Sequence, residues 1–159
     1  MPFVHSFDPD RGLDIVSGCG ATLTVRRLGA EAIGLTLPHP RHGPVGLLWR
    51  DAQPDDPERF WKGHAPILFP IVGGLHGHRS RTTDGVEVRF RGLHGFVRHS
   101  VLELASARDL GDAFALVYRL AASDATRACY PFDFVFEVSY TLRPDRLDCA
   151  ILVRNPGDR

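Results

Sequence analysis

Short runs in which apolar and polar residues alternate recur along the whole chain, separated by Gly, Pro, Asp and Asn. The 3.6-residue period of an amphipathic helix is weak almost everywhere. The clearest alternation is the series Phe134, Phe136, Val138, Tyr140 and Leu142, followed after Arg143-Pro144-Asp145-Arg146 by Leu147, Cys149, Ile151 and Val153. Two period-two runs joined by a Pro-Asp link predict a β-hairpin. Val86, Val88 and Phe90 alternate with Glu87, Arg89 and Arg91, directly after an Asp84-Gly85 turn signal, and predict a strand with one apolar face. Less regular strands are expected over residues 13–16, 22–28, 32–37, 47–49, 101–104 and 114–120. The count is about nine strands. Between residues 50 and 62 the chain is polar and carries Pro54 and Pro57, which predicts a surface loop with one helical turn near residues 57–61.

The pattern defines an all-β chain, an antiparallel sandwich, and the 159 residues are read as a single unit. Nineteen basic residues balance nineteen acidic ones, so the chain lacks the positive field that would draw nucleic acid or an anionic membrane. The longest apolar stretch, residues 65–74, is broken by Pro66 and Pro70 and falls far short of a bilayer span. Cys19, Cys129 and Cys149 are odd in number and widely spaced, which indicates neither a disulfide framework nor a thiolate zinc site and fits a cytoplasmic setting.

Five of the eight histidines fall between His64 and His99. In an extended His76-Gly77-His78 both rings would lie on one side, as metal ligands can. A cupin-like site would also want a glutamate where Thr82 and Thr83 stand, so solvated loop histidines are the plainer reading. In Gly92-Leu93-His94-Gly95-Phe96-Val97-Arg98, small neighbours leave room for a ligand at the imidazole of His94, and Arg98 offers a guanidinium four residues on. A turn histidine beside a surface arginine fits the same residues. The run from Trp61 to Gly73 is too Pro-rich for a helix and predicts an edge strand or an irregular buried connection. Trp49 and Trp61 are either core aromatics or stacking platforms for a sugar.

Taken in order, Leu28-Gly29-Ala30-Glu31-Ala32-Ile33, Leu48-Trp49, Phe60-Trp61, Ala65-Pro66-Ile67-Leu68-Phe69-Pro70-Ile71-Val72-Gly73, His94-Gly95-Phe96-Val97-Arg98 and Tyr130-Pro131-Phe132-Asp133-Phe134 resemble the aldose 1-epimerase (galactose mutarotase-like) family. The resemblance covers nearly the whole chain and matches only the N-terminal half of the family's length. It implies a truncated β-supersandwich that interconverts the α and β anomers of an aldose, phosphorylated or not, by acid–base ring opening without metal or organic cofactor. By this match His94 is the catalytic and substrate-binding histidine of the first half, with Phe96 and Arg98 beside it in the sugar pocket. The family's second histidine and its late glutamate have no counterpart here, and Gly74 stands where the family carries an arginine. Impaired activity is therefore expected, the alternative being a non-catalytic carbohydrate-binding remnant. Self-association or a complementary C-terminal half is the expected macromolecular partner.

Overall fold

The structure, a computed structural model, describes residues 2–49 and 63–157. Five antiparallel strands, β1 (Val4–Asp8), β2 (Leu13–Gly18), β3 (Ala21–Arg26), β4 (Glu31–His39) and β5 (Gly43–Gly46), follow one another as a meander in one sheet. A two-stranded ribbon, β6 (Arg79–Arg81) and β7 (Glu87–Arg89), stands apart from it. The second large sheet is β8 (Glu103–Asp109), β9 (Phe114–Ala121), β10 (Val135–Leu142) and β11 (Leu147–Arg154), in the order β11-β10-β9-β8. The one α-helical turn among the described residues, α1 (Asp124–Arg127), links β9 to β10.

Local chemistry explains the tight connections. Gly18 pairs with Ala21, which leaves Cys19 and Gly20 as a two-residue loop. Both have positive φ, 50° and 80°, as a hairpin loop that follows the strand twist requires. Helix α1 starts on a reciprocal cap in which Ser123 and Thr126 satisfy one another's backbone N–H groups.

The two large sheets face each other through Val16, Leu23 and Val25 on one side and Leu116, Tyr118, Phe136, Val138 and Leu142 on the other, all buried. Strand β10 alternates strictly between half-buried and buried residues, so its even-numbered residues form the inward row that the sequence period predicts. Two polar ties cross the sandwich. The Tyr140 hydroxyl donates to the Ala30 carbonyl at 2.8 Å, and the Tyr118 hydroxyl donates to Asp14 Oδ2 at 3.1 Å.

Several expectations are corrected. The strand expected at residues 47–49 is absent, and β5 lies just before it. Strand β1 and helix α1 carry no run long enough to reveal a period. His76-Gly77-His78 is not extended but forms a 3-10 turn with Gly77 at φ 60°, so the side-by-side geometry expected of the two rings is lost. The segment from residue 63 to 73 is the irregular connection, not the edge strand. It is held by single bridges from Ala65 to Ala32 and from Phe69 to Gly95, with Ile67 buried. The helical turn expected at residues 57–61, and Trp61 with it, lie outside the described residues.

Candidate functional site

Three segments remote in sequence meet around His94. Phe69, which precedes a cis peptide bond to Pro70, bridges Gly95 in parallel fashion, and its carbonyl accepts from the N–H groups of Phe96 at 3.0 Å and Val97 at 3.3 Å. Two further bonds clamp His94 to Gly73: its N–H donates to the Gly73 carbonyl at 2.7 Å, and its Nδ1 accepts from the Gly73 N–H at 2.9 Å. Because an amide N–H can only donate, Nδ1 carries no proton in this arrangement. The neutral ring therefore holds its proton on Nε2, as a donor.

The backbone is shaped around this clamp. His94 and Gly95 are both left-handed, at φ 71° and 69°. A Cβ on Gly95 would sit 2.2 Å from the Phe69 carbonyl oxygen, so only glycine permits the crossing. On the far side Gly29, at φ 75°, comes so close to Arg98 that an added Cβ would lie 3.1 Å from its Cα. The Gly29 N–H donates to the Ser100 carbonyl at 2.7 Å. The 94–100 segment is thus fixed at both ends, first to the connection and then to the turn before β4.

Phe96 is half-buried, with ring centroids 6.0 Å from Phe69, 6.2 Å from Phe90, 6.2 Å from Tyr130 and 5.6 Å from Phe134. Most of that ring is committed to an aromatic cluster rather than offered to a ligand. Its remaining face opens on a cleft of about 590 Å³ lined also by Phe90, Arg91, Gly95, His99 and Cys129. His94 and Arg98 do not line that cleft. Arg98 is half-buried, and its guanidinium makes no hydrogen bond or ion pair among the described residues.

Two titrating groups border the cleft. Burial, and secondarily the charge of Arg98, holds the His99 imidazole below its usual range, which favours the neutral ring. Burial pushes the Cys129 thiol up, and its Sγ–H donates to the Thr126 carbonyl at 3.2 Å, so it is not a thiolate nucleophile at neutral pH. No carboxylate lines the cleft, and none hydrogen-bonds His94 among the described residues. Among the described residues the arrangement supplies hydrogen-bond donors, cations and a neutral imidazole at His99, but no carboxylate base.

Of the other sequence candidates, Trp49 is exposed and its carbonyl accepts from the His64 N–H at 2.8 Å. Among the described residues no three of His, Cys, Asp and Glu gather as a metal would need. Sequence reasoning missed Arg91, His99 and Cys129, because α1 brings Cys129 to the 90–99 segment only through tertiary packing.

The antiparallel two-sheet sandwich is the fold of solved galactose mutarotase-like proteins. No protein-family model matches the chain. The plasmid-encoded LacX protein of Lactococcus lactis is 32% identical over 103 residues, which cover 63% of this chain and 33% of that protein. The solved galactose mutarotase related enzyme of Lactobacillus acidophilus superposes with TM-score 0.73 at 29% identity, over 92% of this chain and 44% of the other. A solved protein of Synechocystis sp. superposes with TM-score 0.73 at 27% identity, over 99% of this chain and 50% of the other. The chain shares the fold of galactose mutarotase-like proteins. It spans about half the length of these solved relatives, 44% and 50%, and a third, 33%, of the LacX protein. No helix among the described residues is long and apolar enough to cross a membrane.

Proposed function

We propose that this chain is the N-terminal, sugar-binding part of an aldose 1-epimerase-like site. In this reading His94 binds and polarises the sugar, and the chain is impaired in catalysis when alone. One observation carries it: the Gly73 N–H bond to Nδ1 leaves Nε2–H of His94 as a fixed donor. Such a donor suits a sugar hydroxyl or ring oxygen. Arg98 stands four residues on as a cation for a hydroxyl-rich or phosphorylated aldose.

Anomer exchange needs one group to take the proton from the anomeric hydroxyl and another to protonate the ring oxygen as the ring opens. His94 is one such group. The second, with the glutamate base that the family resemblance implies, belongs to a complementary half. The reaction in the cytoplasm would then be completed by that half, with no metal or organic cofactor, the half being a separate chain or a second copy.

Polarimetry of freshly dissolved α-D-galactose and α-D-glucose tests the catalytic part. The chain by itself should leave the mutarotation rate at the buffer value. Acceleration that disappears in His94→Ala would show a complete acid–base pair within this chain and overturn the impaired reading.

A further inference from the structure

The ribbon of β6 and β7 carries charges that its own pairing does not balance. Arg79 stands directly opposite Arg89, and Arg81 opposite Glu87. Residues opposed across an antiparallel pair, or two apart along a strand, share a face. Three guanidiniums and one carboxylate therefore crowd one face of the ribbon, while Val88 is buried on the other. Like charges directly opposed destabilise a strand pair, and a ribbon of three residue pairs has little to offset them. Glu87 does not relieve Arg79, because it is engaged by Arg89 through Nε and by Arg81 at 3.7 Å. The Arg79 guanidinium makes no hydrogen bond or ion pair among the described residues.

Beside the opposed arginines lies a cleft of about 330 Å³ lined by Gly77, His78, Arg79 and Arg89. Nothing lies within 4 Å of where a Cβ on Gly77 would stand, so the turn leaves the cleft open. Two bonds fix its walls to the rest of the fold. The N–H of buried Phe90 donates to the His78 carbonyl at 2.9 Å, and the Arg89 N–H donates to the Cys129 carbonyl at 2.9 Å. With Nε of Arg89 taken by Glu87, its two Nη groups remain as donors, together with the whole fork of Arg79 and the imidazole of His78. A second cleft that shares Arg79 is lined also by Ser80, Arg81 and Glu87, and its carboxylate would repel an anion.

We propose that the carboxylate-free cleft binds the phosphoryl group of a small phosphate monoester. Two guanidinium forks and an imidazole offer more donors than the two oxygens of a carboxylate can accept. A phosphate monoester presents three acceptor oxygens and close to two negative charges at neutral pH, which match two arginines. The bound anion turns the repulsion between Arg79 and Arg89 into two attractive pairs. The His78 ring then serves as a donor to an anion rather than as a metal ligand. This site is built within residues 77–89, shares no residue with the His94 turn, and goes beyond the sugar-binding reading above.

Amide NMR spectra of the isotope-labelled chain, at constant ionic strength and a pH of about 7.5 where the ester is a dianion, test this with inorganic phosphate, glycerol phosphate and chloride as probes. The Gly77, His78, Arg79 and Arg89 resonances should shift saturably with both phosphates, in the millimolar range, and should not respond to chloride. Arg79→Gln, at an exposed position, should fold normally and weaken binding at least about fivefold. Arg81→Gln, also exposed but lining the carboxylate-bearing cleft, should change binding less than about twofold. Without phosphate, Arg79→Gln should unfold at the wild-type temperature or higher, since it removes a like-charge pair. Unsaturable shifts, equal weakening by the two variants, or a response to inorganic phosphate but not to the ester would overturn the proposal. So would a lower unfolding temperature for Arg79→Gln, which would show that the fold itself supplies the counter-charge. None of these probes is a sugar, so failure here leaves the role of His94 standing.

Discussion

Asp14 is a charged side chain without solvent contact, and its surroundings account for it. It accepts from Arg27 through Nε and Nη2 at 2.8 and 3.0 Å, contacts His5 Nε2 at 2.9 Å, and accepts from the Tyr118 hydroxyl of the opposite sheet at 3.1 Å. The Arg27 guanidinium in turn covers the Phe7 ring at 3.7 Å. Burial alone would raise the Asp14 carboxyl, but the bonds from Arg27, His5 and Tyr118 outweigh it and hold the group below the usual carboxylate range. A depressed folded-state pKa stabilises the protein above the unfolded value, about 3.9, and that contribution is lost as pH falls through the folded one. Acid unfolding of the wild type should therefore steepen below about pH 4, and Asp14→Ala should flatten that limb. At neutral pH, Asp14→Ala should cost about 2–3 kcal/mol in urea unfolding, because it leaves the buried Tyr118 phenol without its acceptor and the half-buried Arg27 guanidinium without its partner. A loss under 1 kcal/mol, about the value of an exposed pair, would show that water reaches the network.

Gly95 makes a complementary case at the same scale. Ala at this position would carry a left-handed φ and drive its methyl group into the Phe69 carbonyl. Gly95→Ala should destabilise the fold by more than the 1–2 kcal/mol that the left-handed conformation alone costs an L-residue. Equal stability in thermal or urea unfolding would show that the crossing of Phe69 and Gly95 is not rigid.

At the scale of elements, β10 and β11 show what alternation can and cannot tell. Both were legible as strands joined in a hairpin, and Phe136, Val138, Tyr140 and Leu142 are buried as their period predicts. The same period in β11 predicts a buried row, but Ile151 and Val153 are open, because burial needs a second layer that no strand's own sequence encodes. Leu116→Ala in β9 should accordingly cost about 2–5 kcal/mol, whereas Leu152→Ala in β11 should stay within about 0.5 kcal/mol in urea unfolding. The strands that sequence missed were short: β1 buries none of its residues, β5 is built from Gly, Pro and Val, and β6 is Arg-Ser-Arg, exposed throughout. Asp14 reads as an interruption of an apolar run, and only the strand pairing shows that it shares the inward face with Val16. Of the candidate site, His94 and its glycine neighbours were legible as a motif. The Gly73 clamp, the commitment of Phe96 to an aromatic cluster and the cleft beside α1 depend on contacts across tens of residues.

At the scale of the molecule, the chain is one sandwich carrying a turn that presents a histidine donor, and it spans about half the length of the solved proteins it resembles. The sandwich positions His94 through Phe69 and Gly73, so the proposed sugar site and the core are one structure. The most direct test of the central claim is ligand-observed NMR of D-galactose and D-glucose with the wild-type chain and with His94→Ala, both first shown by circular dichroism to be folded. Saturation transfer to the sugar should occur with the wild type and vanish with His94→Ala. Equal transfer to both proteins would contradict the account and remove His94 from the site.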